Sequence, residues 1–127
     1  MFNTLLVFTG GGLGAVLRYG VNLSAARLLG VHFPWGTLAV NVAGSLAMGL
    51  LAGIFAARAA AGWHDGGRLF LMTGVLGGFT TFSAFSLDAA AIWQRGESAA
   101  ALAYVLGSVV LSIAALGLGL AFVRELP

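Results

Sequence analysis

The stretch that decides the fold is Gly74-Val75-Leu76-Gly77-Gly78-Phe79-Thr80-Thr81-Phe82-Ser83-Ala84-Phe85. It lies inside an apolar run over residues 69–93, which is long enough to cross a bilayer as a helix. Each glycine costs about 1 kcal/mol relative to alanine in a helix interior, so this stretch predicts a break in the helix. A broken helix persists at membrane depth only where the freed backbone groups find partners in protein, water or an ion. The stretch therefore predicts a binding or conduction centre.

Composition predicts an integral membrane protein. Hydrophobic residues make up 60% of the 127 residues, charged residues only 8%, and the mean hydropathy is +1.01. A soluble core of this size cannot use so many apolar side chains. The length predicts one domain over residues 1–127.

Several functional classes are excluded by what the sequence lacks. The six basic residues are scattered arginines that form no basic patch, so nucleic acid is not an expected partner. Without cysteine there is no disulfide or thiolate metal site. No serine, histidine and acid are arranged for nucleophilic catalysis, so an enzyme is not expected. The N-terminus lacks the features of a cleaved signal peptide, so the first apolar run is expected to be retained.

Four apolar runs predict an all-α protein with four transmembrane helices, of which the third is broken. Since a hydrocarbon core takes roughly 20 helical residues, the predicted spans cover residues 5–29, 35–57, 69–93 and 99–123. The longest predicted loop covers residues 58–68.

The arginines of the loops give almost no orientation signal. Four crossings place Arg27 and Arg95 on one side and Arg58, Arg68 and Arg124 on the other. Loop arginines normally set orientation. This near balance leaves two interpretations open: a chain that inserts one way, or one that inserts both ways and forms an antiparallel dimer. In either case, glycines at helix-packing spacing and a small interior favour a homo-oligomer.

Two polar residues lie where lipid is expected. Arg18 is deep in the first span, where it either extends its charge to the interface or supplies a fixed positive charge at a pore vestibule. Asn41 in the second span either joins helices through hydrogen bonds or donates its amide protons to an anion. Both interpretations of each residue stay open at this stage.

The last two spans carry further candidates. Tyr104, Ser108 and Ser112 recur every four residues and share one helical face, so their hydroxyl groups could form a ladder for an anion. The serines could equally bond to carbonyls of their own helix. Phe82 and Phe85 are three residues apart, and their electropositive ring edges suit an anion, although such a pair is more often packing.

Together these motifs resemble the fluoride ion channel family, Fluc or CrcB. The resemblance covers essentially the whole chain and includes the Tyr104, Ser108 and Ser112 face. Its other matching pieces are Gly14-Ala15-Val16-Leu17-Arg18-Tyr19, Pro34-Trp35-Gly36-Thr37-Leu38-Ala39-Val40-Asn41 and Gly74 through Ser83 of the central stretch.

The resemblance implies an antiparallel, dual-topology homodimer with two fluoride pores in the inner (plasma) membrane, surrounded by lipid. The implied activity is passive export of fluoride from the cytoplasm, which reduces fluoride toxicity. The resemblance also implies a structural sodium ion at the dimer centre, bound by the main-chain carbonyls of Gly77 and Thr80.

The same resemblance implies specific roles around the pore. Arg18 would shape the vestibule, and the residues that would line or border the fluoride path are Asn41, Thr81, Phe82, Ser83, Phe85, Tyr104, Ser108 and Ser112. Two positions depart from the family pattern. Ala84 stands where threonine is more common, and Asp88 stands where many members have glutamate.

Two alternatives come from other classes. A small multidrug-type exporter also has four spans, but it needs an acidic residue in the first span for proton-coupled cation transport, and this chain has Arg18 there instead. A subunit that only packs helices within a larger complex is the third interpretation. The break in the third span argues against that role, because pure packing gains nothing from unsatisfied carbonyls.

Overall fold

The computed structural model describes residues 1–57 and 65–125, and within these ranges the regular structure is helical. Helix α1 covers Phe2–Leu29 and α2 covers Trp35–Ala57. The third span is divided into α3, residues 65–79, and α4, Phe82–Gln94. Helix α5 covers Ser98–Arg124. Residues 58–64 of the predicted 58–68 loop, with Arg58, lie outside the described residues.

The four predicted apolar helices are present. Their bounds are Phe2–Leu29, Trp35–Ala57, Asp65–Gln94 and Ser98–Arg124, and each is long and apolar enough to cross a membrane. The third helix begins one turn earlier than the apolar run, because Asp65 and Arg68 form a polar first turn ahead of it. Its hydrophobic length therefore agrees with the sequence even though its start does not.

Two extended residues separate α3 from α4. Thr80 has φ −81° and ψ 159°, and Thr81 has φ −154° and ψ 120°, whereas Gly77 is helical at φ −63° and ψ −37°. Within α3, the segment Leu69–Leu76 has π-helical hydrogen bonding. The glycine content predicted an interruption among the glycines, but the helix stops at the threonines that follow them.

Glycines on both α1 and α3 allow these two helices to pack closely. A β-carbon at Gly10 would lie 2.7 Å from the Phe70 carbonyl oxygen, and one at Gly14 would collide with the carbonyl of Val75. From the other side, a β-carbon at Gly78 would collide with the backbone of Gly11. Membrane helices associate through such close backbone contact, since lipid gives no hydrophobic drive between them.

Helices α2 and α5 form the second close pair. A β-carbon at Gly49 would collide with the Leu116 carbonyl oxygen, and one at Gly119 would lie 2.6 Å from the Leu46 carbonyl oxygen. The bundle thus consists of two tight helix pairs, α1 with α3 and α2 with α5. The break between α3 and α4 brings Thr80 against α2, where its methyl group fills the space beside Gly44.

A small apolar cluster lies between α4 and α5. Its buried members are Phe85, Ile92, Ala101 and Tyr104, and Phe33 from the α1–α2 loop packs against it. Tyr104 and Ile92 are almost fully buried, at 1% and 2% exposure. This cluster holds α4 against α5.

Candidate functional site

Asn41 of α2 holds the break between α3 and α4 by two hydrogen bonds. Its Nδ2 donates to the Thr81 carbonyl oxygen at 3.0 Å, and its Oδ1 accepts from the Thr81 backbone N–H at 2.8 Å. The side-chain amide thus pairs with one extended residue as a neighbouring β-strand would. Nδ2 has two protons, and the second remains for another acceptor.

Hydroxyl groups on both threonines complete the turn. Thr81 is the N-cap of α4, and its Oγ1 accepts from the Ala84 backbone N–H at 3.1 Å. A side-chain oxygen at this position satisfies an N–H that has no partner inside the helix. Thr80 Oγ1 donates back to the Leu76 carbonyl oxygen at 2.9 Å. The chain therefore leaves and re-enters helical geometry within two residues.

Because of these bonds, two carbonyl groups lack the N–H donors that they would have in a continuous helix. In a continuous helix, the carbonyls of Gly77 and Thr80 would accept from the N–H groups of Thr81 and Ala84, four residues on. Thr81 N–H instead donates to Asn41, and Ala84 N–H donates to the Thr81 hydroxyl group. A freed backbone carbonyl is a hard oxygen ligand that suits a small cation. The carbonyl oxygens of Gly77 and Thr80 are therefore candidate ligands for a small cation.

An open pocket of about 350 Å³ lies beside the break. Its walls come from α2, the break, α4 and α5, and they are mainly apolar with a few polar groups. The lining residues are Asn41, Gly44, Ser45, Met48, Thr80, Thr81, Phe82, Phe85, Ser108, Val109, Ser112, Ile113 and Leu116. A mainly apolar cavity with convergent polar groups is the usual form of a binding site.

Ser108 contributes the most informative polar group of the pocket. The residue is 4% exposed, and its Oγ is buried without a hydrogen-bond partner among the described residues. The Tyr104 hydroxyl group, one turn earlier on α5, donates to Asp88 Oδ2 at 3.3 Å, and the hydroxyl groups of Thr37 and Ser108 lie close to it. A buried hydroxyl without a partner costs free energy, so a group that fills the pocket and accepts its proton would be stabilised there.

Two phenylalanines form one wall, and their exposure differs sharply. The ring centroids of Phe82 and Phe85 are 5.4 Å apart at an interplanar angle of 50°, so the pair does lie side by side. Phe85 is 8% exposed, whereas Phe82 is 77% exposed. Phe82 thus projects from the bundle at the level of the break.

The remaining predicted residues lie around the pocket rather than in its lining. Tyr104 is buried behind Phe85, with ring centroids 5.4 Å apart. Ser83 is exposed, and its Oγ lies 3.3 Å from the Thr81 hydroxyl oxygen. Arg18 is half-buried on α1, one turn beyond Gly14 and one turn before Asn22, whose side chain packs against α2.

About half of the lining residues were not predicted from the sequence. Ser45 and Met48 follow Asn41 by one and two helical turns, so they share its face. On α5, Val109 and Ile113 each follow a predicted serine directly. Helical periodicity from the predicted polar residues could have found the α2 members. The apolar α5 members carry no signal of their own in an apolar helix.

Comparison with known proteins gives one consistent result. The profile of the family described as "CrcB-like protein, Camphor Resistance (CrcB)" matches residues 5–120. A protein of Methylobacterium nodulans named fluoride-specific ion channel FluC is 60% identical over 125 residues, covering 98% of each chain. Proteins named FluC 2 from Nitrobacter hamburgensis and FluC from Mesorhizobium japonicum are 57% and 54% identical, covering 98% and 100% of each chain.

Proposed function

The chain belongs to the CrcB family, and we propose that it is a fluoride-selective channel of the inner membrane. Fluoride would leave the cytoplasm passively, which lowers its toxicity. The observation that carries this proposal is the buried Ser108 hydroxyl group, which has no hydrogen-bond partner in the part of the chain that the structure describes, beside a pocket that Asn41 also lines. The names of the relatives support the same ion.

A fluoride path must replace part of the hydration shell without holding the ion too tightly. Asn41 has one amide proton left after its bond to Thr81, and Ser108 and Ser112 add hydroxyl donors one helical turn apart. The edges of Phe82 and Phe85 add weak positive potential. Several weak donors in series allow an ion both to enter and to leave.

We propose an antiparallel homodimer because the pocket is incomplete within one chain. The pocket is open on one side, and Phe82 projects from the bundle at 77% exposure. Gly77 and Ser83 are also exposed at the same level. A second copy covering this face would close the fluoride path and bury the Phe82 ring.

The freed carbonyls of Gly77 and Thr80 are the proposed ligands of a sodium ion shared by two subunits. When bound, the ion would neutralise the partial charges of these carbonyls and hold the two breaks together. Arg18 is the proposed vestibule residue, since it lies on the α1 face that passes the break. If removal of sodium leaves the dimer intact and as stable as before, the sodium proposal is wrong.

The dependence of fluoride release on a balancing flow of potassium distinguishes the proposed channel from a proton-coupled exporter. In vesicles with a potassium gradient, a passive fluoride channel releases fluoride only when valinomycin lets potassium carry the balancing charge. A proton-coupled cation exporter would instead respond to a pH gradient and move no fluoride. The described part of α1 carries no acidic side chain for that second mechanism, and the relatives do not support it.

A further inference from the structure

The side chains of Arg95 and Glu97, with His32, join two loops at one end of the bundle; this hydrogen-bonded group is called the clasp. Arg95 donates from Nε to Glu97 Oε1 at 2.8 Å and from a terminal nitrogen to the His32 carbonyl oxygen at 2.9 Å. His32 Nε2 also lies 3.3 Å from Glu97 Oε2. The α1–α2 loop is thereby tied to the α4–α5 turn.

Arginine and the turn geometry are both needed for this arrangement. Gly96 has φ 81°, a left-handed value that favours glycine. It closes the turn by donating to the Trp93 carbonyl oxygen at 2.9 Å. The planar fork of Arg95 then reaches an acceptor on each loop at the same time, whereas a lysine ammonium group is a single point donor.

The clasp sits next to a continuous row of aromatic rings. Phe33 directly follows His32, and its ring meets the Tyr104 ring edge-on at 87° with centroids 5.4 Å apart. Tyr104 in turn packs against Phe85 at 5.4 Å, and Phe85 lines the pocket beside Phe82. A displacement of Phe33 would therefore reach the pocket wall through two ring contacts.

We propose that Arg95 is a positioning residue for the pore: by holding the His32 carbonyl group it fixes Phe33 against Tyr104, and so fixes the Phe85 wall. This inference rests on the proposed fluoride conduction for its consequence, although not for its geometry. Arg95 itself lies in the α4–α5 turn, and its side chain donates to Glu97 and His32. Its effect is indirect and passes through Phe33.

A spectroscopic test addresses the geometry without transport. The chain has 2 tyrosines, so 3-fluorotyrosine gives two fluorine resonances, and Tyr19→Phe assigns the one from Tyr104. We expect Arg95→Gln and Phe33→Leu to shift or broaden the Tyr104 resonance. Arg27→Gln is the matched control, because it removes an exposed arginine from the same end of the bundle. An unchanged Tyr104 resonance in Arg95→Gln overturns the proposal.

A transport test then measures the consequence per channel. At low protein-to-lipid ratio, the fraction of active vesicles reports folding and assembly, while the efflux rate of active vesicles reports conduction. We expect Arg95→Gln and Phe33→Leu each to lower that rate about fivefold, with no further loss in the double variant, because coupled contacts are not additive. Phe33→Tyr keeps the ring and should retain the rate.

The outcomes separate the two proposals. Additive losses, or a reduced active fraction with an unchanged rate, would show a merely structural clasp and contradict the positioning role. If the wild-type protein releases no fluoride, the proposed function is wrong. The Tyr104 resonance alone then supports or overturns the link from Arg95 to Tyr104.

Discussion

The side-chain amide of Asn41 pairs with the peptide group of Thr81 through two hydrogen bonds, of 3.0 and 2.8 Å, across 40 positions of sequence. This pairing ties α2 to the interruption of the third span. It also frees the Gly77 carbonyl from the donor it would have in a continuous helix. One amide thus shapes both the pocket wall and the proposed cation ligands.

Replacing Asn41 by leucine should weaken both stability and conduction. The change leaves the Thr81 N–H and carbonyl groups without their partners, which costs about 1–3 kcal/mol for each buried group that stays unsatisfied. Asn3→Leu, on the exposed first turn of α1, is the control for the change in composition. Stability can be measured by thermal aggregation of the purified protein in detergent, and equal melting temperatures for both variants would contradict the role of the pair.

Removing the hydroxyl group of Ser108 should separate stability from transport. Because Ser108 Oγ is buried without a partner among the described residues, Ser108→Ala removes an unsatisfied group and should leave the melting temperature equal or higher. Fluoride efflux should fall about tenfold, the loss of one charge-assisted hydrogen bond. Ser24→Ala, which removes a hydroxyl bonded to Gly20 on exposed α1, should change neither. A lower stability with normal efflux would contradict this assignment.

The sequence predicted the helices well, because the length of an apolar run is a local property. It predicted a break from glycine content, yet the glycines stay helical, and Gly74 and Gly78 contact α1. The interruption falls at Thr80 and Thr81 because a distant side chain, Asn41, competes for the backbone there. A bond across 40 positions leaves no trace in local propensity.

The pocket was predictable only in part for a similar reason. Polar residues in an apolar span stand out, so Asn41 and Ser108, which line the pocket, were candidates from sequence alone. Whether a given ring is buried depends on the neighbouring helices: Phe85 is covered by Tyr104 from α5, whereas Phe82 packs beside Phe85 and stays 77% exposed. Periodicity places both rings on one face but does not distinguish them.

Gly14→Ala should destabilise the bundle, whereas Gly12→Ala should not. A β-carbon at Gly14 collides with the Val75 carbonyl, while one at Gly12 meets nothing within 4 Å. Overpacking of this kind costs about 1–3 kcal/mol, and alanine at the open position gains up to about 1 kcal/mol of helix propensity. Unfolding in rising dodecyl sulfate gives both values. Equal destabilisation of the two variants would contradict the packing of α1 on α3.

The clasp should depend on pH through Glu97. The hydrogen bond from Arg95 holds the pKa of Glu97 below its ordinary value of 4.5, although partial desolvation opposes the shift. A lowered folded pKa means that the clasp contributes above pH 4.5 and is lost as the pH falls through the folded value. Two groups face Glu97: Arg95 Nε donates to its Oε1 at 2.8 Å, and His32 Nε2 lies 3.3 Å from its Oε2.

Comparison of the stability of the wild type and Glu97→Gln at different pH values tests the direction of this pH dependence. The wild-type protein should be more stable at neutral pH. The difference should shrink below pH 4.5 and disappear once the pH is below the lowered pKa of Glu97. Asp65→Gln is a control with an acidic side chain at the start of α3. A difference that grows as the pH falls would contradict the clasp.

Fluoride release from liposomes tests directly whether this protein conducts fluoride selectively. Purified protein is reconstituted with internal potassium fluoride or potassium chloride, valinomycin starts efflux, and an ion-selective electrode outside records the released anion. A fluoride-selective channel should release fluoride fast and little chloride. Phe82→Ile should slow the release of fluoride, because it replaces the exposed ring of the pocket. Fluoride that stays trapped in well-reconstituted vesicles, or chloride that leaves equally fast, would contradict the proposed function.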